Sequence, residues 1–214
     1  MTELAVLVPV LARPHRVRPL LTAFGVANPD AAVLFIADPH DLEEIEALET
    51  EGAEYIAPGG NYAAKIRAGV EATDEPLIFT AADDLLPHGG WFETAKSYLS
   101  DEIQVVGVND LCSQRVMNGT HATHFLMTRE YALEPCIDGS PGPFFQGYDH
   151  SAVDDEFFAT AQHRSVLAVA SDSVVEHLHP DNGGSEWDAT YVKGRARIRK
   201  DLRLFRARSD QWLR

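Results

Sequence analysis

Short apolar runs alternate with amphipathic stretches along the first half of the chain. Leu4–Val8 is a continuous run of Leu, Ala and Val closed by Pro9, the pattern of a strand buried on both faces. Arg16–Phe24 follows with Val17, Leu20, Leu21 and Phe24 at the spacing of one helix face. A second apolar run spans Ala32–Ile36. An acidic helix through Thr50, a brief strand at Glu54–Ile56, a helix over Asn61–Ala72 opened by Gly59-Gly60, and a strand at Pro76–Thr80 continue the pattern. Strands and helices alternating at this spacing predict βαβ units, hence an α/β fold with a mostly parallel central sheet flanked by helices.

After Trp91–Leu99, a predicted helix, the period loosens. Ile103–Val108 and Thr123–Thr128 read as strands, Asp138–His150 as a loop rich in Gly, Pro and Phe, and Asp154–Gln162 as a helix. Val166–Ala170 and Ser173–Glu176 read as two further strands. From Thr190 onward, Tyr191, Ile198, Leu202, Phe205 and Trp212 fall on one stripe of an amphipathic C-terminal helix.

The 214 residues suit one domain, or one with an elaborated edge, and 45% hydrophobic content is that of a globular chain. A formal charge of -15 argues against a simple nucleic-acid binder, provided the charge is even. It is not. Nine of the 18 basic residues lie between 193 and 214, against Asp201 and Asp210. Either this helix docks on the acidic body through its apolar stripe, or its basic face grips a polyanionic acceptor such as a modified nucleic acid or an anionic lipid surface. Cys112 and Cys136 form no disulfide framework or zinc ribbon and fit a reducing, cytoplasmic setting. The run Leu4–Ala12 is too short to span a bilayer and is broken by Pro9, so no transmembrane segment is expected. The sequence does not address oligomeric state.

In an open α/β sheet, ligands bind beyond the carboxyl ends of the strands. Arg13, Asp38, the Asp83-Asp84 pair, and His177 with His179 all fall at such ends. Adjacent carboxylates repel unless a cation or a helix N-terminus compensates, so Asp83-Asp84 reads either as a Mg²⁺ or Mn²⁺ site or as a helix cap. His177 and His179, at i and i+2 of an extended segment, share a face and read as metal ligands or as surface residues. The other seven histidines are assigned no role. Asp154-Asp155-Glu156 opens a helix, either capping it or offering a general base. Trp91 reads as a sugar-stacking platform or as a buried aromatic at a helix start. Gly59-Gly60 lacks the spacing of a dinucleotide fingerprint.

The order of these features resembles the inverting family 2 glycosyltransferases of the GT-A fold. Val6-Leu7-Val8-Pro9 with Arg13-Pro14 is similar to their first strand and turn, and Asp38 falls where they hold an acid against the nucleotide base. Asn61–Gly69, with Lys65, resembles their helix that faces the nucleotide-sugar. Phe79–Pro87 running into Gly90-Trp91 resembles their DxD segment. Val153–Phe157 resembles the motif that supplies their catalytic base, and Val175–Pro180 the late His of their metal site.

The resemblance implies a GT-A-like domain over residues 1–188, with residues 189–214 as a basic helix packed on it. It also implies Mn²⁺- or Mg²⁺-dependent transfer of a sugar from a nucleotide-diphosphate sugar to an acceptor hydroxyl. Asp154 would be the base. Pro9, Arg13, Asp38, Lys65, Asp83 and Asp84 would bind the donor. Trp91, Asp155 and Glu156 would lie on the acceptor side, and Asp84, His177 and His179 would hold the metal. The chain departs from the motif at Ala82, which stands where DxD has its first Asp. A sugar nucleotidyltransferase and a non-catalytic nucleotide-sugar or glycan-binding module are the alternative readings.

Overall fold

A computed structural model describes residues 2–213. Met1 and Arg214, the last of the basic residues counted above, lie outside the described residues. The first half runs β1 (Leu4–Pro9), α1 (Val17–Ala27), β2 (Ala32–Ile36), α2 (Leu42–Thr50), β3 (Glu54–Ile56), α3 (Tyr62–Ala72) and β4 (Leu77–Thr80). The second half adds β5 (Leu85–Pro87), α4 (Trp91–Lys96), β6 (Val105–Asn109), α5 (Gln114–Met117), β7 (Phe125–Thr128), α6 (Arg129–Ala132), α7 (Val153–His163), β8 (Leu167–His177) and α8 (Ala189–Arg208).

The strands form a sheet in the order β3-β2-β1-β4-β7-β6-β8-β5. The pairings β3–β2, β2–β1 and β1–β4 are parallel, as is β6–β8; β4–β7, β7–β6 and β8–β5 are antiparallel. Parallel pairing therefore dominates where strands and helices alternate regularly, and the sheet turns mixed where the period loosens. Period-two alternation divides the core. Val6, Val8, Phe79 and Val106 face one side with Phe24 of α1 and Leu48 of α2. Leu7, Ile78, Val105 and Phe125 face the other with Ile66 of α3 and Phe157 of α7. Gly69 lets α3 approach closely, because a Cβ there would sit 2.6 Å from Ile36 and 3.0 Å from Leu7.

Several expectations change. Strand β5 was not predicted, since three residues carry almost no periodicity; it exists because β8, about 90 residues later, pairs with it. The two predicted late strands are one strand, β8, whose register with β6 shifts between Val108 and Asn109. Trp91 is 1% exposed, with its ring centroid 4.5 Å from that of Phe79 and 6.2 Å from that of Phe24. It is core, and a ring with no free face cannot stack on a sugar. Glu156 is likewise no acceptor-side residue. It is buried, accepts from Arg208 Nε at 2.8 Å and Nη2 at 2.7 Å, and accepts the Tyr148 hydroxyl at 2.5 Å.

The helix α8 docks through only part of the predicted stripe, with Tyr191 buried in its first turn and Trp212 buried beyond its end. Ile198 is 40% exposed, and the buried positions are Tyr191, Gly194, Asp201 and Arg208, which recur on one face. Leu202 and Phe205 pack against the core more loosely. Two buried charges thus anchor a helix read as apolar-faced. Lys200 and Arg195 are also engaged, with Asp149 and Asp181. No helix among the described residues is long and apolar enough to cross a membrane.

Removing one partner of a buried ion pair strands the other, so Arg208→Ala should cost about 3–5 kcal/mol of folding stability. Urea denaturation of the two proteins checks this; a loss below about 1 kcal/mol would mean that Glu156 finds another partner.

Candidate active site

Strand ends and helix starts converge on a cleft of about 650 Å³. Pro9 ends β1, Lys65 lies on α3, Asp83 and Asp84 follow β4, His177 ends β8, and Asp154 and Asp155 sit in the first turn of α7. All of them line this cleft, together with Arg13 and His179. Asp38 is not among the lining residues. Its Oδ1 accepts the His40 N–H at 2.9 Å, stabilising the turn into α2.

The loop after β1 is fixed by acids of and before α2. Asp41 Oδ2 accepts the Ala12 N–H at 2.6 Å, and buried Glu44 accepts the Arg13 N–H at 2.7 Å. Ala12 takes a positive φ of 54°, which ordinary side chains adopt only when their surroundings hold them there. The restrained backbone aims the Arg13 guanidinium between Asp83, 2.8 Å from Nη1, and Asp188, 2.8 Å from Nε. The Tyr191 ring covers its face at 4.0 Å.

The two adjacent carboxylates sit in different fields. Burial pushes the Asp83 carboxyl up to about 6, with Arg13 only partly offsetting it. Burial acts on Asp84 too, but contact with His177, the Tyr191 hydroxyl and Arg13 outweigh it and hold this carboxyl well below the usual range. Burial would lower the His177 imidazole; Asp84 reverses that and carries it up to about 10.

The DxD-like segment implies a divalent cation, and these residues fit one. His177 Nε2 lies 3.1 Å from Asp84 Oδ1, yet off the line a hydrogen bond requires. That buried oxygen therefore lacks a donor among the described residues. An imidazolium occupies the place where the carboxylate and a neutral imidazole would share a metal. His179 fits less well, because its Nδ1 accepts the Asp181 N–H at 3.1 Å.

Asp154 pairs with His121, whose Nε2 is 3.2 Å from Oδ2. Burial would raise this acid; His121 overrides it and holds Asp154 below its ordinary value, hence ionised. The turn before α7 hangs on one carboxylate. Asp201 accepts the N–H groups of Asp149 at 3.1 Å, His150 at 3.0 Å and Ser151 at 2.8 Å, just before Ala152 with φ 63°. His121 was among the histidines given no role, and Glu44, Asp188, Tyr191 and Asp201 were not singled out for the site. Asp188 alone leaves a local signal, since its side chain caps α8 by accepting the Tyr191 N–H.

Compared by sequence, the chain matches no protein-family model and no curated protein. Compared by structure, it is similar to mannosyltransferase PcManGT from Pyrobaculum calidifontis, solved with GDP-Man and Mn²⁺. There the TM-score is 0.66 at 14% identity, over 94% of this chain and 61% of that one. Glucosyl-3-phosphoglycerate synthase from Mycobacterium tuberculosis, solved with Mn²⁺, UDP and glucosyl-3-phosphoglycerate, gives 0.65 at 12% identity over 99% and 80%. S. aureus TarS gives 0.57 at 11% over 81% and 36%. The chain thus spans 61% of the mannosyltransferase and about a third of TarS. These likenesses show the fold: the protein has the GT-A architecture of the glycosyltransferases it resembles.

Burial pushes the Glu44 carboxyl up to about 6 from 4.5, only partly offset by the Arg13 N–H. The folded chain holds this proton more tightly than the unfolded one. Its contribution to stability is therefore present below pH 4.5 and lost as pH rises through 6. Gln keeps an oxygen for Arg13 without the charge, so Glu44→Gln should gain about 2 kcal/mol relative to wild type between pH 4 and pH 7.5. Urea midpoints of both proteins at the two pH values test this; a difference independent of pH would contradict it.

Proposed function

We propose that this chain transfers a sugar from a nucleotide-diphosphate sugar to an acceptor hydroxyl, with inversion at the anomeric carbon and dependence on Mn²⁺ or Mg²⁺. The observation that carries the reading is one cleft holding two unlike carboxylate centres. Asp84 with His177 is built to share a cation, and Asp154 is kept ionised by His121. The Mn²⁺ and nucleotide-sugar in the complexes of similar fold support it.

The departing group is a nucleoside diphosphate, so negative charge grows on its oxygens as the glycosidic bond breaks. A bound cation would supply a Lewis acid for that charge, with Asp84 and His177 as its protein ligands. Lys65 is held in the cleft by donating to the Val10 carbonyl at 2.7 Å, and Arg197 also reaches the cleft from α8; both offer positive charge to phosphates. Arg13 orients Asp83 and screens the carboxylate pair. Asp154, ionised, accepts the acceptor's proton as the hydroxyl attacks from the face away from the leaving group, which gives inversion. His121 orients that carboxylate and stabilises its charge. Asp155 lies beside it, turned toward Arg115 at 3.0 Å. Trp91 takes no stacking role, and the exposed Trp187 stands edge-on to His179 and Tyr191 with the Arg195 guanidinium over its ring at 4.7 Å.

Donor hydrolysis and transfer, assayed with a panel of nucleotide-sugars with Mn²⁺ and with chelator, test the proposal. Activity should need the metal. Asp154→Asn should lower turnover by about 10²–10⁴-fold while donor binding by calorimetry stays within a few-fold. An Asn variant with full turnover, or a wild type that binds donors and never consumes them, would refute it.

A further inference from the structure

Next to Asp84 lies a second group of ligands, of which the transfer reading uses only His177; His124 also lines the cleft. Asp110 directly follows β6, His124 directly precedes β7, and His177 ends β8. One donor atom from each lies within 4.8 Å of the others. Asp110 is fully buried and His124 is 4% exposed. Among the described residues, Asp110 Oδ2, both ring nitrogens of His124 and Nδ1 of His177 have no hydrogen-bond partner.

Four unpartnered polar atoms on three neighbouring side chains are costly wherever they occur, and buried polar groups are almost always satisfied. On Asp110 and His124 nothing else among the described residues relieves them. Asp110 Oδ1 is occupied by the Cys112 N–H at 2.8 Å, and the two imidazoles meet edge to face with centroids 5.1 Å apart. With Nε2 of His177 facing Asp84, Nδ1 is the atom that residue has left to give. The Cys112 thiol also lies beside His177.

We infer that Asp110, His124 and His177 form a second divalent-cation site, sharing His177 with Asp84 and preferring the borderline cations that imidazole favours, Zn²⁺ first. Two imidazoles and one carboxylate suit Zn²⁺ or Co²⁺ far better than Mg²⁺, which selects oxygen ligands. Tetrahedral ligands at about 2.1 Å stand roughly 3.4 Å apart, so closing from 4.8 Å needs each donor to move by about 1 Å or less. An ion there would fix the ring plane of His177 from behind. With the second ion alone bound on Nδ1, Nε2 keeps its proton toward Asp84; with both cations bound, the ring bridges them as an imidazolate, its two N–H protons released to solvent.

The test uses the full-length chain, stripped with chelator and titrated with Zn²⁺ or Co²⁺ alone, without nucleotide. Wild type should bind a tight equivalent, give the visible absorption of low-symmetry Co²⁺, and melt at a higher temperature with stoichiometric Zn²⁺. His124→Gln and Asp110→Asn should each weaken that equivalent by about 100-fold or more, since even residues that only support a ligand are worth about 10–100-fold. Asp84→Asn should leave it in place. A wild type that takes up no tight Zn²⁺ overturns the inference whatever the variants do. So does a tight equivalent that survives both triad substitutions, or one that disappears with Asp84→Asn. None of these readouts depends on sugar transfer, so failure here and failure of the transferase reading are separate results.

Discussion

Asp83 and Asp84 are buried side by side at the end of β4, and much of the surrounding structure serves to keep that pair tolerable. Two adjacent carboxylates in a low dielectric repel strongly unless each has a cation or a donor. Arg13 meets one, while His177 and the Tyr191 hydroxyl meet the other. Those partners come from the loop after β1, the end of β8 and the first turn of α8. The pair therefore draws three distant parts of the chain to one point. Glu44 and Asp41 then hold the backbone that presents Arg13, so the constraint reaches a further layer outward.

The same logic explains the C-terminal helix. Its basic residues could have been a free binding surface, but the buried face of α8 carries an acid and a base. Asp201 holds the turn ahead of Asp154, and Arg208 holds Glu156 two residues further along α7. The helix fixes the start of α7 while its N-terminus, through Asp188 and Tyr191, reaches Arg13 and Asp84. A single element thus couples the two halves of the cleft. Of the basic residues of α8, Arg208 is buried in this scaffold and Arg197 lines the cleft.

Much of the fold was legible because period-two and helical patterns are local. The boundaries of β2 and β3 match the sequence reading, and α1, α3, β4 and α7 lie within a few residues of it. What failed was non-local. Strand β5 has three residues and needs β8 to exist, and α8 was read from its apolar residues although two buried charges anchor it. Strand-end logic singled out Arg13, Asp83, Asp84, His177 and His179, which share one cleft, but also Asp38, which does not line it, and sequence could not separate Trp91, a core residue, from Trp187, an exposed one. Both are single aromatics near glycines, and only packing distinguishes them.

By itself the sequence determined the alternation that builds the parallel half of the sheet, and the positions where carboxylates and imidazoles leave it. These follow from side-chain direction along a strand or helix, which depends on neighbours a few residues away. Which charges pair was decided only by the tertiary structure. Arg13 meets Asp188 across 175 residues, and Tyr191 meets Asp84 across 107. His121 acquires company only when α7 brings Asp154 beside it, and His124 only when β6, β7 and β8 lie side by side. Burial and pairing set the protonation of Asp83, Asp84, Asp154 and His177, and both are properties of what surrounds a residue after folding.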